Sequence, residues 1–203
     1  SYPPDFAAVD HVERASVLLL NYPNNPTGAL ATRAVFEGAL GLAERTDAAF
    51  VHDFAYSSLG FDGRRPLSAL AVDVDRERTV EVQTMSKTYS MAGWRLGFAA
   101  GNASIIDAMR RYQAHAYSTI FGATQDAAAA ALAGDQSAAI ELVEIYQRRR
   151  DLLVAGLRRL GWDVVEPEGS FFVWARVDGD AVAFAHRLRE EARIAVAPGD
   201  GFG

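Results

Sequence analysis

The sequence predicts an α/β protein, namely part of a mostly parallel-sheet domain followed by a smaller α+β unit. Three observations predict it. Short apolar runs recur along the first half, and each ends in a polar cluster. Helix-spaced stretches lie between these runs, the alternation that builds βαβ units. Beyond Gly161 the texture changes to short apolar or alternating runs around one helix-like segment.

The first strand is ASVLLL (15–20), a continuous apolar run of the kind buried on both faces of a parallel sheet. It leads into NYPNNPTG, where Pro23, Pro26 and Gly28 forbid regular structure. A helix is predicted over 32–45, then a second buried strand, AAFVHD (48–53). A third strand, TVEVQT (79–84), stops just before Ser86 and Lys87, and RLGFAAG (95–101) reads as a fourth. From Asn102 the spacing becomes helical, with an alanine-rich stretch over 126–133 and a break at Gly134. Ile140, Leu142, Ile145, Leu152, Leu153, Leu157 and Leu160 then mark one long helix over 135–160. At about 1.5 Å per residue it would reach nearly 40 Å, enough to bridge two domains. Arg148, Arg149 and Arg150 on that helix read as a solvated face. After it, WDVVEP and GSFFVWARV read as strands, 181–191 as a helix, and ARIAVAP as a last strand. The expected division is residues 1–134, the later part of a ligand-binding large domain, and residues 135–203, an interdomain helix with an incomplete small domain.

Composition narrows the function. Half of the 203 residues are hydrophobic and 23% are charged, the profile of a folded globular chain. The net charge of -6, with no basic stripe, argues against a nucleic-acid surface. The absence of cysteine excludes disulfides, iron–sulfur clusters and thiolate zinc sites. The four histidines have no metal-ligand spacing, and no helix follows GDGFG to make a dinucleotide loop. No apolar run is long enough to cross a bilayer and the first residues carry no signal pattern, so a cytoplasmic protein is expected.

The chemistry centres on Lys87, the single lysine of a chain whose other 19 basic residues are arginine. A surface charge could be either residue. A site needing a primary amine could not, because guanidinium stays protonated and an ammonium can lose its proton. Asn24–Asn25, Asp53 and Ser86–Lys87 each follow the C-terminal end of a predicted strand, the edge where open parallel sheets bind ligands. Pyridoxal phosphate would use such a set. Its aldehyde takes an amine, its pyridine nitrogen a carboxylate, and its phosphate hydroxyls and an arginine. Singly, each feature also has a structural reading. Asn25-Pro26-Thr27-Gly28 is a good turn, Asp53 and Tyr56 could be a cap and a packed ring, and Thr84 and Arg95 could be ordinary strand and surface residues. His52 reads as a satisfied core histidine.

NYPNNPTG, HDFAYSSLGFDG and SKTYSMAGWRLGF, in that order, resemble the class I/II aminotransferases of the type I pyridoxal-phosphate fold. HDFAY and RRRDLL are most similar to the alanine and LL-diaminopimelate enzymes of that group. The resemblance implies that Lys87 forms an imine with the cofactor and later moves the substrate's α-proton. It implies that Asp53 faces the pyridine nitrogen, and that Tyr56 and Asn25 hydrogen-bond the phenolic oxygen. Thr84, Ser86 and Arg95 would hold the phosphate. The implied activity is amino transfer between an L-amino acid and a 2-oxo acid, ping-pong through pyridoxamine phosphate, in a homodimer without nucleic-acid or membrane partners. The alternatives are a carbon–sulfur β-lyase on the same fold and the effector-binding domain of a transcription regulator. Such enzymes are about twice this length, so the chain is expected to be a fragment, inactive alone. It would lack a phosphate-binding helix N-terminus before Ser1 and a substrate-carboxylate arginine after Gly203.

Overall fold

The computed structural model describes residues 3–117 and 119–202. Four strands, β1 (Val17–Asn21), β2 (Ala49–Asp53), β3 (Thr79–Thr84) and β4 (Gly97–Gly101), form one sheet in the order β1-β2-β3-β4. The first three run parallel and β4 is antiparallel to β3. The fold is therefore α/β with a mostly parallel sheet. Helix α1 (Arg33–Arg45) connects β1 to β2, and it starts where predicted because the Thr32 hydroxyl accepts from the Val35 amide. Its Phe36, Ala39 and Ala43 form a stripe at helical spacing that packs on Phe50, Ala48, Leu18 and Leu20. Burying rings the size of Phe36 and Phe50 contributes about 2 to 3 kcal/mol each.

Register decides which side chains join this core. Leu18 pairs with Phe50 and Leu20 with His52, so all four point to the α1 side. Val17 and Leu19 alternate to the other face, where they are 56% and 62% exposed. The expectation that β1 is buried on both faces thus holds on one face, since α1 covers one side.

The turn after β3 is the one-turn helix α2 (Met85–Thr88). Helices α3 (Ala103–Ala116) and α4 (Gly122–Ala133) follow β4, and α4 stops at Gly134 as predicted. The long helix is α5 (Ser137–Arg159), 23 residues that span about 34 Å. The predicted C-terminal helix is α6 (Ala181–Arg187) continued by a π-helical turn, Leu188–Ala192.

The strands expected in WDVVEP, GSFFVWARV and ARIAVAP do not form among the described residues. Val164 and Ala175 make one isolated antiparallel bridge, as do Gly60 and Gly169, while residues 191–197 are exposed. A strand exists by virtue of a neighbour that completes its ladder, and alternating apolar residues do not supply one.

Residues 167–170 dock instead between two loops. The amides of Glu168 and Gly169 both donate to the Gly28 carbonyl, at 3.0 and 2.9 Å. The Phe61 amide donates to Glu168 and the Ser170 amide to Leu59, at 2.9 and 2.8 Å. The contact is close enough to require glycine. Gly28 has φ +71°, and a Cβ there would lie 2.5 Å from the Pro167 Cβ.

Arg150 corrects the expectation of a solvated arginine face. Arg148 and Arg149 are exposed, but the Arg150 side chain is only 5% exposed. Its guanidinium forks onto both Asp62 oxygens at 2.8 and 2.9 Å, donates to the Pro167 carbonyl at 3.0 Å, and lies 4.8 Å from the Phe61 ring centre. Helical spacing alone does not distinguish a solvated arginine from one reaching a loop 88 residues away in sequence. The Arg150 hydrogen bonds hold the Asp62 carboxyl below its ordinary range.

Three outcomes are expected. Arg150→Met should lower the unfolding free energy by about 3 kcal/mol in urea titrations, with Arg150→Lys recovering less than half, because an ammonium cannot make the fork. The Asp62 contribution should be present above the ordinary carboxylate range and fade as pH falls through its depressed range, and Asp62→Asn should remove that acid-side slope. Gly28→Ala should cost about 2 to 4 kcal/mol, combining a left-handed backbone with a clash against Pro167, read as a drop in the urea midpoint.

Candidate active site

Sheet topology gathers the predicted residues at one edge. Asn25 follows β1, Asp53 ends β2, and Thr84, Ser86 and Lys87 lie at the end of β3. Arg95 precedes β4, and because β4 is antiparallel its first residues return to that same edge, with Gly97 paired to Thr84. All six residues therefore sit at the carboxyl edge of the parallel strands.

The loop carrying Asn25 is internally braced. The Asn24 carboxamide oxygen accepts from the Thr27 amide and hydroxyl at 3.2 and 2.7 Å, and the Asn24 amide donates to the Ala29 carbonyl. The Asn25 amide donates to the Asn21 side chain at 2.7 Å, and Asn25 itself is exposed. Asp53 is half-buried and its Oδ1 accepts from the Ala55 amide at 3.2 Å. Tyr56 is buried. That burial, and next the charge of Asp53, raise its phenol above the ordinary value, so it stays an O–H donor at neutral pH.

The Lys87 amine lies 5.9 Å from the Tyr56 ring centre and 5.1 Å from that of Phe171. Its turn is fixed by Thr84, whose hydroxyl accepts from the Ser86 amide at 3.1 Å and stands 2.9 Å from the Ser86 hydroxyl. Arg95 is exposed, has φ +52°, and donates to the Ala92 carbonyl of its own turn at 3.1 Å. It reaches the edge in a backbone conformation costly for a non-glycine residue, with its side chain folded onto that turn and not joined to the hydroxyl pair.

No sequence feature singles out Phe171, which lies in the GSFFVWARV segment expected as a strand. Docking of 167–170 carries its ring to 5.3 Å from those of both Tyr56 and Tyr146, so it forms an aromatic wall beside the amine. Nothing local signals this, apart from the Gly169-Ser170 pair that lets the chain turn tightly against Leu59. Tyr89 donates to Gln136 at 2.8 Å and ties the Lys87 segment to the junction of α4 and α5.

His52 is the satisfied core histidine that the sequence suggested. It is wholly buried, with Nδ1 2.8 Å from Glu81 Oε1 and Nε2 2.9 Å from the Tyr22 carbonyl. Glu81 also accepts from the Ser68 hydroxyl and the Ala69 amide. Strand alternation sends His52 into the core and Asp53 to the opposite face. Among the described residues no group of three His, Asp or Glu is placed to hold a metal, and no helix is long and apolar enough to cross a membrane.

Known proteins share this fold. The family model for aminotransferase class I and II matches residues 5–203. The chain is 45% identical to an L-glutamine–4-(methylsulfanyl)-2-oxobutanoate aminotransferase of Bacillus subtilis, covering 100% of this chain and 52% of that protein. It is 43% identical to an LL-diaminopimelate aminotransferase of Desulforudis audaxviator, covering 98% of this chain and 52% of that one. The substrate-bound structure of BacF from Bacillus subtilis superposes with a TM-score of 0.93 at 40% identity, over 98% of this chain and 52% of BacF. The chain thus spans about half the length of the relatives it matches. Motif order, sheet topology and a match along nearly the whole chain agree, and this chain belongs to the class I and II aminotransferases.

Proposed function

We propose that the whole protein is a pyridoxal-phosphate-dependent aminotransferase that moves an amino group between an L-amino acid and a 2-oxo acid in two ping-pong half-reactions. The observation that carries this reading is the single primary amine of a side chain, Lys87, set at the carboxyl edge of the sheet beside Tyr56, on the edge that also holds Asp53. Class I and II aminotransferases depend on pyridoxal phosphate, and the donor set here suits it: one amine, one carboxylate, a phenol and a carboxamide, and two hydroxyls near an arginine. When bound, the cofactor supplies an aldehyde and a ring able to withdraw electrons from the substrate's α-carbon.

The protein's own groups then have distinct tasks. Lys87 holds the cofactor and takes the proton from the substrate's α-carbon. Asp53 offers a carboxylate to the pyridine nitrogen. The raised phenol of Tyr56 remains a donor, as Asn25 Nδ2 is, and both suit an anionic phenolic oxygen. Thr84 and Ser86 donate hydroxyl hydrogens to the phosphate, and Arg95 unfolds from Ala92 to add its fork. Residues 1–134 serve as the later part of the large domain and 135–203 as the connecting helix with part of a small one. A cytoplasmic homodimer is the assembly in keeping with this assignment.

The deciding experiment uses the lone lysine. The full-length protein is incubated with pyridoxal phosphate, reduced with borohydride and mapped by peptide mass spectrometry. Label is expected on the Lys87 peptide, diminished by an amino acid added before reduction and lost in Lys87→Ala, whose transamination rate should fall by about 10³-fold or more. An unlabelled Lys87 in the wild-type protein overturns the reading. Release of pyruvate and ammonia without amino exchange would replace the transferase with a β-lyase.

A further inference from the structure

We propose that Asn21 is a positioning residue that sets the distance between Asn25 and Asp53, and through them the seating of the cofactor ring. This rests on the assignment of those two residues to the phenolic oxygen and the pyridine nitrogen. The β1–β2 register ends at the pair Asn21 and Asp53. Past that pair the two chains part, β1 into the Tyr22–Gly28 loop and β2 into the Phe54–Tyr56 turn. The Asn21 side chain carries the connection one step further. Its Nδ2 donates to the Asp53 carbonyl at 3.1 Å, and its Oδ1 accepts from the Asn25 amide at 2.7 Å.

The partners dictate the orientation of the carboxamide, because the Asp53 carbonyl can only accept and the Asn25 amide can only donate. No other side-chain type of this size offers a donor and an acceptor in one rigid plane. Aspartate would face the Asp53 carbonyl with a second oxygen, and leucine would offer neither group. Asn24 provides the contrast within the same loop. Its side-chain bonds go to Thr27 and to the Asn21 carbonyl, and none reaches β2. The start of the loop is held independently, since the Tyr22 carbonyl lies against the buried His52 ring. With that base fixed, the remaining freedom of Asn25 relative to Asp53 is what the Asn21 carboxamide removes.

The test compares full-length wild type with Asn21→Leu, Asn21→Ala and the control Asn24→Ala. Three quantities are read: exchange of the Asn25 backbone amide without cofactor, the dissociation constant for pyridoxal phosphate, and the pH midpoint of the bound cofactor's absorbance. In the Asn21 variants the amide should exchange about tenfold faster and the cofactor bind about tenfold more weakly, as the loss of two hydrogen bonds predicts, with a displaced midpoint. Asn24→Ala should speed exchange in its loop and leave the midpoint in place. Should Asn21→Leu fail to fold, Asn21→Ala carries the comparison, because the position is half-buried and tolerates truncation. Unchanged affinity and midpoint in the Asn21 variants, or an equal displacement in Asn24→Ala, would overturn the positioning role. Wild-type labelling at Lys87 separates the two failures. If it is absent, the cofactor assignment itself falls. If it is present while the Asn21 variants behave as wild type, only the role of Asn21 falls.

Discussion

The Gly28 carbonyl, accepting two amide hydrogens from Glu168 and Gly169, is the contact on which the site's shape depends. It needs a backbone without a Cβ, since Pro167 occupies that space. With it made, residues 167–170 lie between the Asn24–Gly28 loop and Leu59–Phe61, and Arg150 reaches down from α5 to hold the Pro167 carbonyl and Asp62 together. Phe171 is then placed against Tyr56 and Lys87. The aromatic wall beside the amine is a consequence of backbone contacts formed 140 residues apart in sequence, not of any local propensity of GSFF.

Topology supplies the other half. Three parallel strands deliver their C-terminal residues to one edge, which accounts for Asn25, Asp53 and Lys87. Arg95 would be carried to the far edge if β4 also ran parallel. The reversal of β4 brings it back, and the Met85 amide donating to the Leu96 carbonyl pins the two chain segments beside each other. One antiparallel strand therefore adds Arg95 to the edge that the parallel strands begin.

This division explains what the sequence could show. The sheet strands and α1 were legible because their burial is written locally, in apolar runs and in a threonine cap, and the edge position of the candidate residues was legible because they sit in short segments at strand ends. Arg150 was not, since Asp62 and Pro167 lie outside its helix and its helical neighbours Arg148 and Arg149 are indeed solvated. The C-terminal strands failed for the opposite reason. Ile194 and Val196 have the alternation of a strand, yet pairing is a property of two segments, and those residues stand 51% and 48% exposed. Phe171 belongs with Arg150, its role created by a contact the pattern does not contain.

Adjacent residues 52 and 53 show how the fold separates stability from chemistry. Both ring nitrogens of His52 are occupied, Nδ1 against the Glu81 carboxylate and Nε2 against the Tyr22 carbonyl. Ser68 and Ala69 meet the remaining demand of Glu81, and the rings of Phe36 and Phe54 enclose the imidazole. A group so fully committed has no atom left for a ligand. Asp53, one residue on and facing the other way, accepts one backbone hydrogen bond through Oδ1, and its charge is felt by Tyr56. The pleat of a single strand thus places a satisfied hydrogen-bonded pair in the core and a carboxylate with unused acceptor capacity at the edge, and that unused capacity is what a chemical site requires.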